Sequence, residues 1–316
     1  MEDRIRKTVI DALKKIPYMR DIILYLYRKI GLFIQLPGKK NTTIFSFKNS
    51  FVEETYLQTT KINQKKSLLK DRMEEIMAYT EKHIGSLILH YLLNGTPNTN
   101  NYRYNMLLPF ERFGTSEEKL KNAYEAASFM YINRLMLRYH KYKIGYDVMK
   151  IIHRYLRTTD SDIKVLDYGC GVADPSIYMA LNGMDVTIVD LSNSQLEFAK
   201  WRFEKRNLPF RYVAAMQTEV PVELDNTFQV IVLAEFLEHT RNPRLFLEFA
   251  ISHLEQGGIL YDSLGPCYSH GVGGDHLKEA KDQMEQTDYQ NYFNQNLISV
   301  NSKFHTDEFN HFYIKK

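Results

Sequence analysis

Residues 164–191 read KVLDYGCGVADPSIYMALNGMDVTIVDL. Lys164-Val165-Leu166 opens a short apolar strand that ends at Asp167. Gly169 and Gly171 permit a tight turn and a close backbone approach to a ligand that a Cβ would block. Ser176 to Leu181 continues as an apolar helix, and Met184 to Val189 is a β-branched strand closed by Asp190. Strand, glycine turn, helix and strand make a βαβ unit and predict a doubly wound α/β sheet. A carboxylate at the second strand's tip sits where a ribose presents its two hydroxyls. Asp190 follows Asp167 by 23 positions, close to the roughly 20-residue spacing of nucleotide-binding βαβ units.

The dinucleotide fingerprint wants a third Gly or Ala three residues after the second, and that position here is Asp174. An acid suits poorly the helix N-terminus that would receive a pyrophosphate. A cofactor without phosphate fits better. Asp167-Tyr168-Gly169-Cys170-Gly171-Val172-Ala173 resembles motif I of the class I S-adenosylmethionine (SAM) methyltransferases. Asp190-Leu191-Ser192 looks like that family's motif II, and Phe228 to Leu233 like its fourth strand. Glu235-Phe236-Leu237-Glu238-His239 is similar to the Glu-x-x-Glu-His of its ubiquinone/menaquinone-type and sugar-methylating branches, and Gly257 to Tyr261 to its fifth strand. The resemblance covers about residues 145–316. It implies a Rossmann-like seven-stranded sheet with an antiparallel last strand. It also implies SAM contacts at Asp167, Tyr168, Gly169, Gly171, Asp190, Leu191 and Glu235. Members usually carry an Asp after the third strand to receive the adenine amino group. Ala215 fills that slot here, with Met216 able to pack on the ring and Gln217 able to supply a side-chain contact. Gln229 likewise replaces a preferred Asp.

Over the whole chain, the 316 residues are 44% hydrophobic and 25% charged, an ordinary globular composition. The net charge of +3 singles out no partner, and no alternation of basic and aromatic residues marks a nucleic-acid surface. Cys170 and Cys267 do not make a disulfide framework. Without a secretory signal, a reducing cytoplasm is expected. Residues 1–40 hold ten Lys/Arg against four acids. Ile5, Val9, Leu13 and Ile16 recur there at helical spacing. Residues 1–36 therefore read either as a helix packed on the protein or as a basic amphipathic helix on an anionic membrane surface. A short strand at 43–47, helices over about 52–93, 116–140 and 145–157, and a break at Asn94–Asn101 complete the N-terminal side. The division is a helical, substrate-covering region 1–144 and a SAM-binding domain 145–316. Two β-runs, 297–304 and 310–315, close the chain.

Methyl transfer from a sulfonium asks the protein to align a nucleophile and, for a hydroxyl, to remove a proton. His239, after the fourth strand, and His276, with Asp275 to orient it, are the candidate bases. Each has a plain structural role as its alternative: His239 bonding local backbone, and Asp275 capping a helix from about 275 to 286. His270 and His305 are weaker candidates. His270, Asp275, His276, His305 and Asp307 are metal-compatible types, but no pair has a metal motif's spacing, so no metal is expected. Tyrosines crowd residues 102–146 and read as interfacial core that also offers apolar faces to sugars, aromatic rings or lipid headgroups. The leading expectation is a SAM-dependent O-methyltransferase of a small or medium hydroxylated acceptor, a sugar or lipid-linked glycan included. Its rivals are a SAM-binding subunit without turnover and a membrane-surface enzyme acting on lipid headgroups. A chain starting near residue 141 is expected to lose acceptor binding before cofactor binding.

Overall fold

The computed structural model describes residues 68–82, 86–87, 90, 93–94, 100–113, 116–138, 142–156, 163–268 and 275–316. The described residues all belong to one compact unit. The basic amphipathic segment 1–36, the strand at 43–47 and His270 lie outside the described residues. Among the described residues no helix is long and apolar enough to cross a membrane.

Before the sheet, the described residues include helices α1 (Leu68–Thr80), α2 (Asn100–Phe113) and α3 (Glu117–Arg138). Helix α4 (Tyr142–Ile151) ends in a π turn, Ile152–Leu156, and leads into β1 (Lys164–Tyr168). Then come α5 (Asp174–Leu181), β2 (Asp185–Leu191), α6 (Ser194–Glu204), β3 (Arg211–Ala215), β4 (Phe228–Leu233), α7 (Pro243–His253) and β5 (Leu254–Asp262). The chain closes with α8 (Lys278–Met284), α9 (Thr287–Asn296), β6 (Leu297–Ser299), α10 (Val300–Phe304) and β7 (Phe312–Lys315).

The seven strands form one sheet in the order β3-β2-β1-β4-β5-β7-β6, with β7 antiparallel to both β5 and β6. The expected doubly wound architecture is therefore present. Side chains alternate across each strand, so the sheet feeds two cores. Val165, Val186, Ile188 and Val230 pack with α4 and α5 on one face. Leu166, Val189, Ile231 and Leu260 pack on the other with α7, α9 and residues of α2 and α3.

Four expectations on element bounds are corrected. Residues 297–304 are not one strand: only 297–299 pair, and α10 follows. Asn301 explains the switch, because its side chain accepts from Phe309 N (2.8 Å) and its carbonyl from Thr306 N (3.1 Å), local bonds that compete with a ladder. The helix expected from 275 starts at Lys278, with Leu277 as its N-cap. A helix, α2, was not foreseen at 100–113, whose first residues fall in the break expected at Asn94–Asn101; the chain tolerates Pro109 inside it at the loss of one backbone bond. β5 begins before Gly257 and shifts register against β4 there, with Gly257 at φ +76°.

Candidate functional site

The strand tips supply the first wall. Gly169 N and Cys170 N both donate to Val189 O, at 2.8 and 3.1 Å, which pins the turn after β1 to the end of β2. Gly169 and Gly171 hold φ of +76° and +56°. A Cβ at Gly169 would lie 2.4 Å from the Phe236 ring, and one at Gly171 would lie 3.0 Å from Leu135 Cδ1. Only glycine leaves this cradle open. The Asp190 carboxylate accepts from Gly171 N (2.6 Å) and from Leu191 N (2.7 Å). Asp167 is buried and accepts from Ser176 Oγ (2.7 Å), fixing the start of α5 from beneath the turn.

A cavity of ≈ 430 Å³ lies over this edge, at the carboxyl ends of the strands, where α/β sheets bind ligands. Tyr168, Gly169, Gly171, Asp190, Leu191, Ala215, Gln217 and Glu235 all line it. Asp167 and Met216 do not: the first is buried, and the second is 69% exposed. Tyr168 OH accepts from Val222 N (3.0 Å). Burial pushes its phenol up to about 12, against the lowering effect of that bond. Glu235 stands in the left-handed region at φ 51°, and its N–H donates to Ser263 Oγ (2.7 Å). Non-glycine residues held there cluster at functional sites.

The second group forms where the 3₁₀ turn Leu237–His239 meets residues 275–277. Leu277 N donates to Glu238 O (2.9 Å) and joins the two segments. His239 Nδ1 lies 2.9 Å from the Asp275 carbonyl oxygen. A carbonyl only accepts, so Nδ1 carries the proton and Nε2 keeps the basic lone pair. The Asp275 carboxylate is 3.7 Å from His239 Nδ1 and 4.0 Å from His276 Nε2, and the two imidazoles cross at 79° with centroids 5.0 Å apart. Burial alone would raise the Asp275 carboxyl, but His239, the Tyr131 hydroxyl and His276 outweigh it and hold it below the usual carboxylate range. Asp275 is thus an ionised partner of both rings, not a helix cap. Glu238, His239 and His276 each bring a ligand atom within 4.8 Å of one another, a donor set that suits a divalent transition metal. That trio differs from the set considered from sequence.

Helices α2 and α3 close the cavity from above. They contribute Arg103, Met106, Tyr124, Tyr131, Arg134 and Leu135. Tyr131 OH donates to Asp275 Oδ2, and Glu125 accepts from Ser194 N (2.8 Å) and Ser194 Oγ at the start of α6. Burial, then the Asp275 charge, pushes Tyr124 and Tyr131 well above the ordinary phenol range. Both rings are neutral donors. Sequence reasoning missed Arg103, Arg134, Leu135, Phe236 and Glu238 as cavity residues. Phe236 and Glu238 were within reach, because they belong to a quoted motif. The others carry no local signal.

The methyltransferase domain family model matches residues 138–304, more than half of the chain. The ubiquinone biosynthesis O-methyltransferase of Rickettsia prowazekii (strain Madrid E) is 30% identical over 125 residues, 40% of this chain and 48% of that protein. Its counterpart from Rickettsia akari (strain Hartford) is 27% identical over 125 residues, 40% and 49% of the two chains. The chain spans about half the length of the curated relatives it matches. Among solved structures, SAM-bound CalS10, an amino pentose methyltransferase from Micromonospora echinaspora, matches at 22% identity and a TM-score of 0.31, covering 38% of this chain and 48% of that one.

Proposed function

We propose a reaction for a chain that belongs to the class I SAM methyltransferase family: methyl transfer to a hydroxyl of a small or medium acceptor. One observation carries this reading. The glycine turn and Asp190 share a single cavity with His239, Asp275 and His276. When bound, SAM supplies a methyl group already activated on a sulfonium. Asp190, at the tip of β2, lines the cavity where the ribose hydroxyls would bond, and the Gly169–Gly171 cradle admits a ligand against bare backbone. Ala215 and Gln217 line the place for the adenine, and the Met216 backbone is beside it. Arg134, next in sequence to the Leu135 that covers Gly171, lines the same cavity and would offer the cofactor's carboxylate a fixed positive charge.

His239 Nε2 or His276 takes the acceptor's proton as its oxygen attacks, while Asp275 holds both rings in orientation. Met106, Tyr124 and Tyr131 exclude water above them, and the two phenol rings suit the flat face of a sugar or an aromatic ring. Residues 1–144 then act as the acceptor-covering region and 145–316 as the SAM domain. The test is S-adenosylhomocysteine release with a panel of phenolic and glycosyl acceptors. His239→Ala and His276→Ala should lower turnover by roughly 10²–10⁴-fold for the residue that acts as base, with SAM affinity unchanged. Near-full turnover in both variants would leave transfer to alignment alone. SAM retained with no turnover on any acceptor would mark a binding module.

The Glu238, His239 and His276 trio favours a second reading, a divalent cation that holds the acceptor hydroxyl. Activity lost to a chelator and restored by manganese or iron would select it over the general base.

A further inference from the structure

Five charged side chains meet behind the cofactor turn, and none of them lines the cavity. Arg72 Nη1 of α1 lies 2.5 Å from Asp174 Oδ1, and Arg202 Nη1 of α6 lies 2.8 Å from the same oxygen. Arg202 Nε reaches Glu75 at 3.2 Å, and Arg206 Nη1 reaches it at 2.6 Å. Arg202 also donates to the carbonyl of Val172, and Arg72 lies 3.3 Å from Met136 Sδ of α3. Arg72, Glu75, Asp174 and Arg202 are at most 2% exposed.

Stability alone does not account for this arrangement. Burying charges costs as much as their attraction returns, and an apolar core of the same volume is often as stable. Fixed geometry is what guanidinium forks provide. Burial would raise the carboxyls of Glu75 and Asp174, but the arginines outweigh it and keep both ionised, so the contacts persist across ordinary pH. One end of the network is Val172-Ala173-Asp174, directly after Gly171, with Ala173 held at φ 56°. The other end is α1, which precedes the family-matched span 138–304.

We propose that α1 is a positioning element of the cofactor site: Arg72 and Glu75, through Asp174 and Arg202, hold the turn 169–174 in the shape that accepts SAM. The segment before the family domain then belongs to the cofactor site as well as covering the acceptor, contrary to the order of loss expected from sequence. The inference rests on SAM lying against that turn.

Hydrogen exchange on the unmodified full chain, with and without SAM, tests it first. Expected is added protection of both turn 169–174 and helix 68–80 on SAM addition. Protection of the turn alone overturns the inference and leaves the site intact. Protection of neither removes the site reading, and the inference with it. In Arg72→Met, calorimetry should show SAM affinity reduced roughly 5- to 150-fold, the usual range for coupled sites, and helix 68–80 should no longer respond to SAM. Arg206→Gln, a milder change at the partly exposed end, should weaken SAM in the same direction and serves if Arg72→Met fails to fold. SAM affinity within two-fold of the parent in a folded variant overturns the proposal.

Discussion

The two walls of the cavity are built on different principles. The sheet wall is made of backbone: strand tips, a glycine turn and carboxylates within a few residues of them, held by bonds such as Gly169 N to Val189 O. The helical cover is made of side chains, and it docks through single contacts between residues far apart in sequence. Tyr131 reaches Asp275 across 144 positions, and Glu125 reaches Ser194 across 69. The first wall can be shared by any chain with the fold. The second comes almost wholly from residues that precede the family-matched span 138–304.

Substitutions on either side should separate the two walls. The largest effect is expected at Gly169→Val. Its Cβ would meet Phe236 at 2.4 Å in a backbone of φ +76°, so SAM binding should fall below calorimetric detection; retained affinity would mean the turn is not the cofactor cradle. Next is Tyr131→Phe, which removes a hydroxyl bond to an ionised buried carboxylate. It should cost about 1.5–3 kcal/mol in denaturant unfolding and leave SAM affinity within two-fold. A matching loss of SAM affinity would show that the walls are not separable at this point. Asp190→Ala should do the reverse. It should weaken SAM by about 1–3 kcal/mol, with Tyr131 still docked as judged by exchange protection of α3.

The last effect, smallest per step, is a pH slope set beneath the sheet wall. Asp262, at the end of β5, is raised to about 8 by burial, with the Glu238 charge adding to this and the backbone N–H groups of Leu264 and Gly265 opposing it. The folded chain holds a proton there that the unfolded chain has released. Stability should therefore fall as pH rises from about 4 to about 8, by at most about 1.4 kcal/mol per unit, and level off above. Melting curves of Asp262→Asn should be flatter through this window. Parallel curves for the two proteins would refute the assignment.

The sheet wall was legible because its determinants are local. Gly169, Gly171 and Asp190 sit in one βαβ unit, and spacing alone identifies them. The cover was legible only as helices. A helical period at 117–138 says that Tyr124, Tyr131 and Leu135 share a surface, but not which surface they meet. Asp174 was read as unsuited to a pyrophosphate, and it is buried behind the turn without lining the cavity. Its arginine partners lie on α1 and α6, beyond any local signal. Asp275 was read as orienting His276, with a helix cap as the alternative; its contact with Tyr131 carries no local signal because the two lie 144 positions apart. The segment 300–304 was misread as strand because Asn301 turns the chain back on Phe309.

The distant docking of the cover also sets an order of events during synthesis. Helices α1 to α3 leave the ribosome before any strand of the sheet. At about 5–20 residues per second, Asp174 follows Arg72 by roughly 5–20 s, since 102 positions separate them. Asp275 follows Tyr131 by roughly 7–30 s on the same scale. Through that interval Arg72 and Glu75 remain hydrated, and the aromatic face of α3 has no sheet to cover. The part of the molecule made first is the part that finishes last, and slower translation of residues 164–275 would lengthen its exposure to chaperones and proteases.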